Sequence, residues 1–274
     1  LTVRWAEEYQ KLHPKVTINV SAGGAGKGMT DALSEMVDLG MFSKEISDEE
    51  KQKGAWFVAV AKDAVLATVN EKNPIMKDLK EKGLKQNDFY EIFITGNYRK
   101  WGWLYKTTNN SPINVYTRSD ACGAAEMWAK FLKNKKQEDI KGIGVNGDPG
   151  VADAVRKDIN GIGFNNIAYV YDINTRKKYQ GIDVVPIDIN SNGKIDKEEM
   201  VYETLDDIMN AIRDGVYPSP PSRALYFVSQ GTPKKSLVRN FILWVLTDGQ
   251  KYVNEAGYVK LSDERVKSEI EKLK

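Results

Sequence analysis

This sequence has almost no histidine and almost no cysteine: one of each, His13 and Cys122, in 274 residues. A single cysteine excludes an internal disulfide and any Cys-x-x-Cys metal cluster. His13 stands at the end of a helical pattern, just before Pro14, and reads as a surface residue. It is therefore no partner for a Ser-His or Cys-His nucleophile pair. Net charge is nearly absent as well, with 40 basic against 38 acidic residues. Nothing in bulk charge would recruit nucleic acid or an anionic membrane, so any anion site has to be built locally from a few groups. No apolar run reaches the roughly 18 residues of a membrane span. A secretory leader pattern is missing too. The chain opens on an amphipathic pattern of Trp5, Tyr9 and Leu12, which predicts a helix already under way and further residues before Leu1.

What remains is an alternation of helices and strands, the pattern of layered α/β structure, in a chain long enough for two domains. A first helix ends near Leu12, and Val16 to Val20 reads as a short strand. A glycine-rich turn, Ser21 to Gly28, then opens a helix with Met29, Leu33 and Met36 on one face. Phe57 to Val69 reads as a buried strand, punctuated by Asn73-Pro74. Asn114 to Thr117 is a strand that runs through Arg118 to Gly123 into a helix carrying Met127, Trp128 and Phe131. Gly161 to Phe164 is another strand, leading into Ile167 to Val170. Ala224 to Val228 precedes a helix with Leu237, Phe241, Trp244 and Val245 on its apolar side. Trp128 and Trp244 sit at core spacing, which makes packing rather than sugar stacking their default role.

Two of these turns share a physical design: a strand stops, small residues follow, and a helix begins. Helix N-termini carry unpaired N–H groups and partial positive charge, and small residues let a ligand approach the backbone. Ser21 to Gly28 fits neither the dinucleotide fingerprint nor the Walker A pattern, since no Ser or Thr follows Lys27. Alone it is equally an ordinary glycine-rich turn. Arg118 with Asp120 is either a structural ion pair or an oxyanion anchor whose orientation the acid fixes. Cys122, at a helix start beside Arg118, reads as a small cleft-lining residue, with a lowered thiol pKa as the other reading.

Four stretches, in order and spacing, resemble the phosphate-binding proteins of ABC transporters. They are Trp5 to Tyr9; Ser21 to Met29 with Val37 to Ile46; Arg118 to Ala124; and Gly161 to Phe164 with Ile167 to Tyr169. The tail, Trp244 to Lys251 and Gly257 to Leu261, is similar to the same family. The resemblance implies an α/β, two-lobed type II periplasmic-binding-protein fold with an interlobe ligand cleft and two crossovers. One lobe would hold residues 1–70 and 224–274, the other 71–223. It implies a non-enzymatic receptor, periplasmic or at the cell surface, that captures a small oxyanion, most simply phosphate, and passes it as a monomer to a membrane permease. The resemblance assigns ligand donors to Gly24, Ala25, Gly26 and Ser43, to Arg118, and to the helix start at Cys122, Gly123 and Ala124. Asp120 is the acid beside the arginine, and Asp38 is structural. This chain has Ala25 where the family uses Ser, and Cys122 and Ala124 where it uses Ser and Thr. Fewer hydroxyl donors imply weaker phosphate binding. The family's first strand and first ligand loop precede the opening helix and lie outside this sequence. A receptor or sensor without transport, its site drifted to another ligand, is the alternative reading. A hydrolase using Cys122 lacks a general base.

One motif stands apart from that resemblance. Asp188, Asn190, Asn192, Lys194 through its carbonyl, Asp196 and Glu199 occupy positions 1, 3, 5, 7, 9 and 12 of an EF-hand loop. Gly193 takes the sharp-turn position and Ile195 the apolar tie. The expectation is structural Ca²⁺, the alternative an acidic surface turn. The strand-like entry, Val184 to Ile187, marks a clip rather than a sensor.

Overall fold

The computed structural model describes residues 1–274 apart from Ala22 and Gly24. Helix α1 (Thr2–Leu12) buries Trp5, Ala6 and Tyr9 along one face, and the Trp5 indole donates to the Gly249 carbonyl at 2.8 Å. Residues 16–20 form no strand, contrary to the expectation there. Alternating apolar residues favour the strand conformation, yet a strand exists only where a partner completes its hydrogen bonds. The Ile18 amide turns instead to the Gln10 side chain. Helix α2 (Ala25–Leu33) packs Met29 and Ala32 inward and ends before Met36, which is 77% exposed. The chain reverses at Glu35, whose φ of 56° is left-handed, so Met36 never reaches the helical face predicted for it. Strand β1 (Gly40–Phe42), helix α3 (Asp48–Gln52) and the long strand β2 (Ala55–Asn70) follow. Ser47 and Glu50 form a reciprocal capping box on α3. The chain divides into two compact units, Leu1–Asp63 with Arg223–Lys274, and Ala64–Ser222. The first boundary falls inside β2.

The second unit is built on a mixed sheet. After α4 (Met76–Lys82), α5 (Gln86–Tyr90) and α6 (Trp101–Tyr105) come β3 (Asn114–Arg118), α7 (Gly123–Phe131), β4 (Ile143–Val145), α8 (Gly147–Lys157), β5 (Gly161–Asn166), β6 (Ile182–Val184) and α9 (Leu205–Arg213). β3 runs parallel to both β4 and β5, and β5 and β6 each pair antiparallel with the end of β2. Side chains from α5, α7 and β5 stack into an aromatic core. In it the Trp128 ring lies 5.3 Å from Phe89 and 5.9 Å from Phe164. That core holds α7 against the sheet and so fixes where β3 ends and α7 begins.

The chain then re-enters the first unit through β7 (Ser222–Gln230), which pairs antiparallel with β1 and lies next to β2 in strand order. Helices α10 (Ser236–Leu246), α11 (Lys251–Glu255) and α12 (Asp263–Glu271) complete it. Trp5, Tyr9, Phe227, Phe241 and Trp244 form its core. Leu237, expected on the apolar side of α10, is 47% exposed. Glu269 of α12 is fully buried and accepts the Ala59 amide while pairing with Arg265 and Lys272.

Candidate functional site

Arg118 is the last residue of β3, where the backbone leaves the sheet and turns into α7. Its side chain is only 7% exposed, and a buried guanidinium requires matched acceptors. Two carboxylates supply them. The Nε and one terminal nitrogen grip Asp120 in a bidentate fork, with Nε 2.8 Å from Oδ1. The other terminal nitrogen reaches Asp148 Oδ2 at 2.6 Å. Burial opposes the charge on Arg118, but the Asp120 hydrogen bond and the Asp148 charge outweigh it and raise the pKa further. The same hydrogen bond, with help from the Gly147 amide, holds the Asp120 carboxyl well below the usual carboxylate range.

Each carboxylate is anchored in turn. Asp120 Oδ1 accepts the Gly147 amide at 3.0 Å, tying the turn to the start of α8. Asp148 accepts both the backbone and the side-chain N–H of Asn166. Its carbonyl takes the Asn165 side chain, which in turn accepts a hydrogen bond from Thr68 Oγ1. Gln137 closes the other side: its amide nitrogen donates to the Asp120 carbonyl, and its oxygen accepts the Cys122 amide. Three of the five guanidinium N–H groups are used by these bonds, which leaves two without an acceptor among the described residues. At the start of α7 the Cys122 thiol caps the Ala125 amide at 3.4 Å. The amides of Gly123 and Ala124, the first two of that helix, donate to no acceptor among the described residues. Arginine and amide donors gathered in this one turn suit an oxygen-bearing anion.

Cys122 itself departs from one of its sequence readings. Burial pushes its thiol pKa up, and this outweighs the downward pull of the Ala125 amide and Arg118. The direction is opposite to the lowered thiol pKa, and the residue acts as a helix cap. Asp148 is the site residue that sequence reasoning missed. Its signal was an acid in the first turn of a helix, after a glycine with φ of 72°, a pattern that reads equally as plain helix capping.

The remaining residues assigned by resemblance lie in the first unit. Gly24 falls outside the described residues. Ala25 and Gly26 begin α2, Lys27 pairs with Asp31 one turn on, and Ser43 follows β1 as a half-buried residue. Gly28 has a packing role: a Cβ there would stand 2.3 Å from the Met41 carbonyl oxygen, and one on Gly40 2.0 Å from the Gly28 oxygen. A helix can lie this close to a strand only over bare backbone. Asp38 pairs with Lys235 on the surface. Beside the glycine-rich turn lies a cavity of about 390 Å³, lined by Ser21, Gly23, Lys27 and residues 16–20, with Phe227 and Phe241 among its apolar lining.

A family model for the PBP superfamily domain matches residues 1–249. The chain belongs to that superfamily, the periplasmic-binding-protein superfamily. Among its relatives it is 26% identical over 275 residues to the phosphate-binding protein PstS of Staphylococcus haemolyticus, covering 98% of this chain and 79% of PstS. It is 27% identical to protein SphX of Synechococcus elongatus over 266 residues, 93% of this chain and 72% of SphX. Two solved structures share its fold. A phosphate-bound putative phosphate ABC transporter substrate-binding protein from Clostridium perfringens superposes with a TM-score of 0.69 at 22% identity, covering 95% and 94% of the two chains. An ABC-type phosphate transport receptor from Vibrio cholerae gives 0.71 at 20% identity, covering 94% of each. The periplasmic-binding-protein chain described here thus has the two-lobed α/β fold of type II members. Among its described residues no helix is long and apolar enough to cross a membrane.

Proposed function

We propose that this chain is the extracytoplasmic receptor of an ABC-type uptake system, and that it binds a small oxyanion, phosphate first, for delivery to a permease. The relatives named for phosphate binding support the ligand class. The observation that carries the reading is Arg118: a buried guanidinium held rigid by Asp120 and Asp148, with two N–H groups unspent beside the bare amides of Gly123 and Ala124. Arg118 is the charged anchor, Asp120 and Asp148 fix its plane, and the helix start adds neutral donors that favour negative charge. On the same reading Ala25, Gly26 and Ser43 are donors from the first unit. The role is binding rather than catalysis, consistent with a thiol whose pKa is raised.

Calorimetric titration with phosphate, and with sulfate as comparison, tests this. Hydrogen bonds to a charged group contribute about 1.5–3 kcal/mol each. Arg118→Ala should therefore weaken binding by a factor of about ten to several hundred while far-UV circular dichroism stays native. Undiminished phosphate binding by Arg118→Ala, or no binding of either anion by the unmutated protein, would remove the basis of the proposal.

A further inference from the structure

The loop from Asp188 to Glu199, far along the chain from the arginine turn, is folded around two buried carboxylates. Asp188 is 1% and Glu199 5% exposed, and no Lys, Arg or His side chain forms an ion pair with either among the described residues. Among the described residues their hydrogen-bond partners are backbone amides. Asp188 accepts from Asn192 and Gly193, and Glu199 from Ile189, Asn190 and Asp196. Amides carry no net charge, so two negative groups removed from water face one short loop with no cation in direct contact with either; the Lys194 ammonium of the loop sits on Asp196 instead. That is a costly arrangement unless a cation completes it.

The other oxygens of the loop point to the same conclusion. Asn190 Oδ1 and Asn192 Oδ1 each accept one backbone N–H, which leaves each a second lone pair. Asp196 has drawn three positive or partly positive groups: the Lys194 ammonium at 2.7 Å on Oδ1, and the Asn190 and Asn192 amide nitrogens on Oδ2. No three His, Cys, Asp or Glu side chains among the described residues already stand at metal-ligand spacing. The donor set here is all oxygen, three carboxylates with two side-chain amides and one backbone carbonyl, which suits a hard cation of flexible geometry rather than a transition metal.

We propose that this loop binds one Ca²⁺ through Asp188, Asn190, Asn192, the Lys194 carbonyl, Asp196 and Glu199, and that the ion clamps the end of α4. The clamp is visible in the packing. The Ile195 amide donates to Glu81 O at 2.8 Å, and the Asp188 amide to Leu84 O at 3.0 Å. Ile195 itself presses on Gly83, where a Cβ would stand 2.4 Å from its Cδ1. With three carboxylates rather than four or five, affinity falls in the weaker range, about 10⁻⁵ to 10⁻³ M, suited to calcium outside the cytoplasm. Binding displaces the Lys194 ammonium from Asp196, so that side chain competes with the metal.

Full-length protein stripped with chelator and titrated with CaCl₂ in a calorimeter should bind one ion, with Mg²⁺ markedly weaker. At a hundredfold excess over Kd the melting temperature should rise by about 5–10 °C and fall again with chelator. Asp188→Asn and Glu199→Gln should each weaken binding at least tenfold. Should either buried variant fold poorly, Asp196→Asn, whose side chain is more exposed, carries the test and should show the same loss. Lys194→Ala should bind severalfold tighter, an outcome that a purely structural acidic turn does not produce. No heat with CaCl₂ together with equal melting in calcium and chelator would overturn the proposal, as would a calcium response untouched in Glu199→Gln and Asp196→Asn.

Discussion

Arg118 shows how a single buried charge dictates its neighbours. A guanidinium at 7% exposure cannot be left to water, and the chain spends two acids, an amide side chain and a helix start on holding it. Asp120 makes this arrangement sensitive to acid. Its folded pKa is depressed by the Arg118 hydrogen bond first, so the stability it contributes is fully present above the unfolded carboxylate value of about 3.9 and is lost as pH falls below it. Asp120→Asn should therefore be less stable than the parent at pH 7. In thermal melts from pH 7 down to 3 the gap between the two should narrow below about pH 4. A constant gap across that range would mean the carboxylate's charge plays no part. Arg118 and Asp120 were readable in the sequence because two residues apart at a strand end is a local pattern. Asp148, thirty positions away, becomes a partner only once α8 lies against β3 and β5.

At the scale of elements, sequence pattern served best where burial is one-sided or complete. The apolar run in β2 and the aromatic spacing of α7 translate directly into a sheet and a packed helix. It served worst where an element's existence depends on something non-local. Residues 16–20 alternate like a strand yet lack a ladder, Met36 is cut from its helix by the left-handed turn at Glu35, and Leu237 faces outward. The glycine-rich turn is instructive in the same way. Its composition suggests ligand contact throughout, but Gly28 is there so that α2 can lie on β1. Gly40→Ala would drive a methyl group into the Gly28 carbonyl, and neither backbone can yield cheaply. The cost should be about 1–3 kcal/mol, seen as a lower urea midpoint, whereas Gly26→Ala, with open space around it, should change stability far less. Equal effects of the two substitutions would show that the close approach does not set the packing of α2.

At the scale of the whole molecule, the chain crosses from the first unit to the second at Asp63–Ala64 and returns at Ser222–Arg223. The second unit is thus one uninterrupted insertion, while the first is assembled from two separated segments. Sequence pattern marks the end of β2 near Asn70, and within the strand the charged pair Lys62-Asp63 interrupts an otherwise apolar run where the two units divide, a break too short to announce a boundary by itself. The insertion has what an independent domain needs: a size within the usual range, its own aromatic core, and a sheet whose β2, β3, β4, β5 and β6 pairings all involve residues 64–184. It also contains both the arginine turn and the loop from Asp188 to Glu199. A fragment spanning residues 64–222 should therefore fold by itself and melt cooperatively, and its melting temperature should respond to calcium and chelator as the full chain does. Ala25, Gly26 and Ser43, the first-unit donors of the proposed reading, are missing from that fragment, so on that reading its phosphate affinity should fall well below that of the full chain while its calcium response persists. A fragment that melts without cooperativity would show that the insertion depends on the first unit for its stability. A fragment that binds phosphate as well as the full chain would show that the arginine turn and the start of α7 hold the anion without help from the glycine-rich turn.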